Sequence, residues 1–440
     1  MKILKFGGTS VGSPQRMKDV SKLITDGEQK IVVLSAMSGT TNTLVEVADY
    51  FKKLNTEAAN NVINKLRSKY MEHVRELYSD AGIASETTDF LEDEFMFLHS
   101  FSSADFSDVT EKTILAQGEI MSTNMVTNYL REQGVKVKLI SALDFMRLTE
   151  NGEPDLPYLR QRLTEILNHA PDYDIYITQG FICLNHKGEI DNLQRGGSDY
   201  TACLIGAALR AEEIQIWTDI DGMHNNDPRV VEGTQPVRQL NFEEAAELAY
   251  FGAKILHPTC IQPARYAGVP VRLLNTMDPS APGTLINNEM VKGRIKAVAA
   301  KDDITAIKIV SSRMLLATGF LRKVFEIFED YNTSIDMVAT SEVGVSLSID
   351  STSRLVPILE KLKQYGTVEV DENMCIICVV GDLSWNNVGF ETLVTDAMGQ
   401  VPVRMISYGG SNHNISFLVR KADKKAALQA LSKKLFAKAE

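Results

Sequence analysis

Lys5 ends a short apolar run, KILKF, and is followed at once by Gly7, Gly8, Thr9, Ser10 and Gly12. Glycines let backbone N–H groups approach a ligand, and a helix starting just beyond offers a partly positive N-terminus. The stretch therefore suits an anion, most often phosphate, with Lys5 adding a full charge. Because the lysine precedes the glycines, it is neither GxxxxGK[ST] nor GxGxxG, and the protein-kinase signatures are missing. A plain strand-to-helix turn, with Ser13 as N-cap and Pro14 at N1, stays open as the alternative. In LQRGGSDYTACLIGAALR, Arg195 precedes two glycines, Ser198 is the expected cap and Asp199 begins a helix. A guanidinium there can grip a carboxylate through two bonds, or sit on the surface beside a capping turn.

Weaker signals surround these two. SAMSGTTNTL, which includes Ser35 and Thr41, carries five hydroxyl residues around one glycine, enough to hold a carboxylate or phosphate but also ordinary for a loop. AQGEIMST places Glu119 inside an apolar helical run, where a carboxylate is costly unless it meets a cation, unless it simply lies on the helix surface. WTDIDGMHNNDPR is a strand end with an acidic turn, at the position where open α/β sheets bind ligands. NFEEAAELAYFGAKILHP reads as a helix with Asn241 and Glu244 forming a capping box and Lys254 in the last turn. No histidine cluster has metal-ligand spacing, so no resident metal site is expected.

These residues need elements to position them. KILKF, KIVVLSA, VKVKLI, DIYITQGFI, EIQIWTDI and VPVRLL alternate with amphipathic segments, which predicts an α/β domain over 1–286 with a mainly parallel central sheet flanked by helices. Residues 44–100 lack strand signals and read as an inserted helical hairpin or lid. Beyond DPSAPGTLI the composition changes, and GFLRKVFEIFED with SIDMVATSEVGVSLSID is echoed by GFETLVTDAMG with PVRMISYGGSNHNISFLV. Two small βαββαβ modules are expected over 294–440. The first, about 303–371, is inserted within the second, about 294–302 plus 372–440.

With 57 acidic against 46 basic residues the formal charge is -11, which argues against a nucleic-acid or membrane-surface partner. No signal segment or apolar run of membrane-spanning length is found, so a cytoplasmic protein is expected. The five cysteines suit reduced buried thiols, and Cys375 and Cys378 fall on a strand reading with opposite faces.

KFGGTSVG, SAMSGTTN, GEIMS, RGGSDYTA, WTDIDGMHNNDPR and FGAKILHP occur in this order. Together they resemble the aspartate kinases of the amino-acid kinase superfamily along essentially the whole chain, including two C-terminal ACT modules. The resemblance implies ATP-dependent phosphorylation of the aspartate β-carboxylate to 4-phospho-L-aspartate, the first step of lysine, threonine and methionine biosynthesis. Mg2+ would be held through the phosphates. Carried over by motif, Lys5, Gly7, Gly8, Thr9 and Ser10 meet the ATP phosphates, and Ser35, Thr41, Glu119, Arg195 and Ser198 hold aspartate. Thr218, Asp219, His224, Arg229 and Lys254 belong to the nucleotide site, and Asp199 orients Lys5 or the substrate ammonium. His224 replaces a usual tyrosine and Gln194 a usual glycine.

SIDMVATSEVGVSLSID is similar to the first ACT module of lysine-sensitive, single-function members, with no room before residue 440 for a fused homoserine dehydrogenase. The resemblance assigns Met314, Gly319, Phe320, Leu321, Ser334, Asp336, Thr340, Ser341 and Glu342 to lysine binding or its transmission, although Ala317 replaces a serine. It also implies a homodimer or dimer of dimers through the ACT modules. The competing readings are a glutamate or carbamate kinase, and an inactive amino-acid sensor.

Overall fold

The computed structural model describes all residues except 104, 194–195, 253–255, 312–313, 315–317 and 437–440. In chain order the elements begin β1 (Lys2–Phe6), α1 (Pro14–Ile24), β2 (Lys30–Leu34), α2 (Thr40–Lys52), α3 (Thr56–Leu77), α4 (Ala81–Ser100), α5 (Asp108–Glu132), β3 (Val137–Ile140), α6 (Leu156–Asn168) and β4 (Ile175–Gln179). They continue β5 (Ile182–Leu184), β6 (Ile190–Asn192), α7 (Gly197–Leu209), β7 (Ile214–Thr218), β8 (Gln239–Asn241), α8 (Phe242–Tyr250), α9 (Gln262–Ala267), β9 (Val271–Asn275) and β10 (Thr284–Asn287). The last are β11 (Ile295–Val310), α10 (Phe320–Asp330), β12 (Met337–Thr340), β13 (Gly344–Ile349), α11 (Leu355–Leu362), β14 (Thr367–Gly381), α12 (Phe390–Ala397), β15 (Val403–Tyr408), β16 (Asn414–Arg420) and α13 (Lys424–Phe436).

Two compact units result, Met1–Met223 with Ile255–Asn288, and His224–Lys254 with Glu289–Glu440. In the first, the strands run β3-β4-β2-β1-β7-β9-β10. All neighbours are parallel except β9 and β10. β2 and β4 are buried at every position, as central parallel strands covered on both faces must be. Ser13 accepts from the Arg16 N–H with Pro14 at N1, so α1 starts where its local signals place it. The segment read as a helical hairpin is three helices, α2 to α4. α2 begins four residues early, at Thr40, because Gly39 takes a left-handed φ of 84° and turns the chain into the helix. Among the described residues, no helix is long and apolar enough to cross a membrane.

The second unit carries a sheet of order β12-β13-β11-β14-β16-β15. β11 and β14 each run through both modules. Thr305–Val310 pairs with β13 and with the first part of β14, whereas Ala297–Lys301 pairs with Ile376–Val380. Between them the register shifts, and Asp303 takes a φ of 62°. Each module has its own core, one around Ile307, Phe328 and Leu347, the other around Ile377, Phe417 and Leu428. Residues 224–254 group with this unit through bonds such as Val298 N–H to Asn225 O and the buried Lys296–Glu244 pair at 2.7 Å. Cys375 and Cys378 are fully buried on β14, and burial pushes the Cys375 thiol up to about 12, which suits packing rather than redox chemistry.

Candidate active site

Lys5 pairs in register with Val33 of β2 on one side and Ile216 of β7 on the other. The chain leaves β1 for β2 while β7 flanks the opposite edge, so the strand order reverses here, which opens a crevice beyond the strand ends. Two loops close tightly over it. A Cβ on Gly8 would lie 2.8 Å from the Ala36 carbonyl oxygen, and the Ser38 N–H donates to Gly8 O at 3.1 Å. Any side chain at Gly8 would push these backbones apart.

The Lys5 ammonium lies 2.8 Å from Asp199 Oδ1, with both side chains only 12% exposed. A Cβ on Gly7 would stand 3.5 Å from that ammonium, so Lys5 lies along the glycine turn. Asp199 occupies the first turn of α7. The expected cap, Ser198, is not the cap: Gly196 enters the left-handed region at φ 73° and starts the helix two residues earlier. Ser198 instead accepts a 3.0 Å hydrogen bond from Ser35 Oγ.

α5 brings Glu119 to the same place. Gly118 lets the helix approach so closely that a Cβ there would be 2.9 Å from Ala36 Cβ. Glu119 Oε1 accepts from the Ala36 N–H at 3.2 Å, while Oε2 is buried with no hydrogen-bond partner. The residue is 3% exposed, so it is not a helix-surface glutamate. Burial pushes its carboxyl up to about 8, with the Ala36 bond and the Lys5 charge acting in the opposite direction. That second oxygen is an unshared acceptor on the lining of a cavity, suited to a cation.

A cavity of about 320 Å³ is lined by Gly8, Ser35, Thr41, Glu119, Gly197 and Ser198 among others. α2 and α7 both begin at it with glycine N-caps, and no side chain caps either start. Two uncapped helix N-termini favour negative groups, and one buried carboxylate favours an ammonium. The ligand chemistry that fits is an amino acid with a second carboxylate.

Not every residue singled out in the sequence faces this space. Ser10 is buried, its N–H donates to Gly7 O, and its hydroxyl lies 3.2 Å from Thr276 Oγ1. Since Thr276 already donates to Thr218 O, the Ser10 hydroxyl is the donor, leaving it none for a phosphate. Ser10 braces the turn, whereas Thr9 is exposed at its tip. Thr218 and Asp219 end β7, with the Thr218 hydroxyl donating to Asp219 at 3.1 Å. His224 and Arg229 belong to the second unit, where the ring Nδ1 of His224 lies 3.0 Å from Thr234 Oγ1 and Arg229 grips Asp227 through two nitrogens. Arg195 and Lys254 lie outside the described residues, as do Gln194 and Ala317. α8 stops at Tyr250. Ser122 was missed, although it sits three residues after Glu119 on the same helix face and donates to Ser35 O at 2.9 Å.

In the first module, Met314 packs on the core, Gly319 at φ 83° starts α10, Phe320 is buried and Leu321 is exposed. Ser334 and Glu342 are exposed, Thr340 ends β12, and the Ser341 N–H donates to Gly344 O at 2.8 Å. Asp336 does not wait for a ligand. Its Oδ1 accepts from the Tyr250 hydroxyl at 2.6 Å and from the Lys301 ammonium at 2.7 Å, and its side chain is 1% exposed. Lys301 also reaches Asp350 at 2.9 Å and lies 4.2 Å from the Tyr250 ring centre. Burial opposes the charge on Lys301, but the two carboxylates prevail and hold its pKa above the ordinary value.

Residues 1–275 match the amino acid kinase family and residues 377–435 the ACT domain family. The chain is 36% identical to aspartokinase 1, chloroplastic, of Arabidopsis thaliana, over 99% of this chain and 80% of that protein. It is 33% identical to lysine-sensitive aspartokinase 3 of Escherichia coli strain K12, over 99% of each. The crystal structure of E. coli aspartokinase III in complex with aspartate and ADP aligns with a TM-score of 0.82 at 33% identity, over 99% of this chain and 100% of that one.

Proposed function

The chain belongs to the amino acid kinase family, among its aspartokinases, and on that premise we propose that the cavity at Glu119 is its aspartate site. The enzyme transfers the terminal phosphoryl group of ATP to the β-carboxylate of aspartate. The observation that carries the site is the buried, partnerless Glu119 Oε2 between two uncapped helix starts. Glu119 takes the α-ammonium, and the Ser35–Ser198 hydroxyl pair and the first amides of α2 and α7 take carboxylate oxygens. Gly7, Gly8 and Thr9 pass the nucleotide phosphates to Lys5, which Asp199 holds in place. We assign Arg195 the α-carboxylate and Thr218, Asp219, His224, Arg229 and Lys254 the rest of the nucleotide, from their motifs. Mg2+ arrives with the nucleotide and spreads phosphate charge; among the described residues there is no cluster of His, Cys, Asp and Glu suited to a resident ion.

ADP release coupled to a spectroscopic reporter tests this. Release is expected with aspartate and not with glutamate or without acceptor. Release with glutamate alone would make the chain a different amino-acid kinase, and no release with any acceptor would leave a sensor.

We further propose that lysine inhibits through the first ACT module, as the name of the E. coli relative suggests. Because Asp336 already carries Lys301 and Tyr250, an effector ammonium must share or displace the internal one. Asp336→Ala is expected to raise the lysine concentration for half-inhibition by about tenfold or more, the scale of one charge-assisted bond, with little change in uninhibited kcat. A lysine titration of both proteins, with threonine and methionine as controls, checks this, and equal sensitivity would reject the site. A second copy of the chain is proposed to cover apolar side chains of the regulatory unit, where Val356 is 69% and Trp385 78% exposed. Light scattering should report a dimer or larger, and a monomer with an intact lysine response would remove this proposal.

A further inference from the structure

We propose that Phe181 is a specificity-determining residue whose ring divides one continuous recess into two cavities and so limits the length of the acidic amino acid accepted. The inference rests on the aspartate reading of the first cavity. Beside that cavity lies another of about 580 Å³, and the residues common to both linings are Phe181 and Gly197. The ring is pressed onto Gly197: a Cβ there would come within 2.6 Å of Phe181 Cδ2. The wall thus consists of one aromatic side chain seated on a residue that must be glycine.

The backbone of Phe181 is held where a bulky residue is seldom found, at φ 70°. Three contacts over-determine it. Its N–H donates to Thr201 Oγ1 at 3.0 Å, and its carbonyl accepts from the Leu193 N–H at 2.7 Å. The preceding Gly180 is so close to α7 that a Cβ there would lie 2.5 Å from Ser198 Cβ. Glycine would satisfy the dihedral without strain, so the dihedral alone does not explain a phenylalanine. Strained residues persist at sites where the side chain is needed.

What lies behind the wall is further volume of mixed charge. The second cavity is lined by Gly196 and Gly197 at the start of α7, by Asp108 and Glu111, and by Lys112, whose ammonium is 2.7 Å from Asp191. An acidic amino acid one or two methylenes longer than aspartate, displaced past an opened wall, meets open volume beside a helix N-terminus instead of a closed end. Discrimination by one methylene in a shaped pocket is worth about 10- to 200-fold in kcat/KM.

The test uses the full chain with Phe181→Gly, Phe181→Ala and Phe181→Leu, and ADP release with aspartate, glutamate and 2-aminoadipate. In the Gly and Ala variants the kcat/KM ratio of the longer acids to aspartate is expected to rise about tenfold or more, through KM. The Leu variant, which keeps a wall, should stay within about threefold of the parent. Phe181→Gly is expected to melt no lower than Phe181→Ala because it suits the dihedral, which keeps the test open if alanine impairs folding. An unchanged ratio in a folded Gly variant overturns the proposal. A parent enzyme that does not use aspartate at all would sink the underlying site reading instead, a separate outcome of the same assay.

Discussion

Lys5→Ala is expected to lower kcat by about a hundredfold or more while moving the aspartate KM much less. The nucleophile is a carboxylate with a reference pKa of about 3.9, ionised at neutral pH, so the reaction needs no general base. What remains for the protein is to bring two anionic groups together and neutralise charge on the transferring phosphoryl group. Lys5 lies beside the Gly7–Gly8 turn with its ammonium held by Asp199, an arrangement set by the protein's own groups. Removing it takes away a charge aimed at the transition state. Asp199→Asn should cost less, because the ammonium stays and only its orientation loosens. Steady-state ADP release at varied aspartate and ATP separates the two effects, and full turnover in Lys5→Ala would reject the phosphate role of the opening stretch.

Glu119→Gln is expected to weaken aspartate binding and to stabilise the folded protein. An ammonium–carboxylate hydrogen bond in a buried site contributes about 1.5–3 kcal/mol, so the aspartate KM should rise roughly 10- to 150-fold with a smaller change in kcat. Stability moves the other way. The folded carboxyl titrates near 8 against an ordinary value of 4.5. Between those values the folded state keeps a proton that the unfolded state has lost, so the contribution of Glu119 is full below about pH 4.5 and is lost as pH rises towards 8. Glutamine removes that loss, and chemical denaturation at pH 7 should show a gain of about 1–3 kcal/mol, shrinking at pH 4.5. The same titration makes aspartate binding tighten as pH rises from 7 to 9 in the parent, because the ammonium needs the ionised form, while the Gln variant stays flat. A destabilised Gln variant, or a parent whose aspartate KM ignores pH in this range, would contradict the assignment of the vacant oxygen.

In the sequence Glu119 reads either as a helix-surface residue or as a buried carboxylate facing a cation. α5 buries polar residues together with apolar ones, Gln117, Ser122, Thr123, Thr127 and Asn128 among them, so residue type alone does not tell which face of this helix is inside. Gln117 and Thr127 bond back to carbonyls one turn earlier in α5, but the others reach different segments: Ser122 donates to Ser35 O, Asn128 donates to Thr87, and Thr123 accepts from Gln179. None of the latter pairings has a local spacing to read.

Asp336 shows the same limit in the regulatory unit. The resemblance assigns it to lysine binding or its transmission, yet Lys301 and Tyr250, 35 and 86 residues away, already occupy one oxygen. Any account of lysine inhibition through this carboxylate therefore has to treat the effector as a competitor or partner of an internal lysine.

Features settled within three or four residues were determined by the sequence itself. Ser13 with Pro14 begins α1 and Asn241 with Glu244 boxes α8, because a cap needs only the next turn of the same helix. The strand runs and the order of the glycine motifs likewise determined an α/β domain with a glycine turn after its first strand. Tertiary structure decided the rest. The Ser10 hydroxyl is turned onto Thr276, 266 residues away, and Ser198 gives up the cap because Gly196 can adopt a left-handed turn against Cys260 and His257. Glu119 is left with one empty oxygen only because α5 is pressed against the loop after β2. Burial and the loss of water are properties of several chain segments at once, so the charge state and free valences of a site arise only when those segments close together.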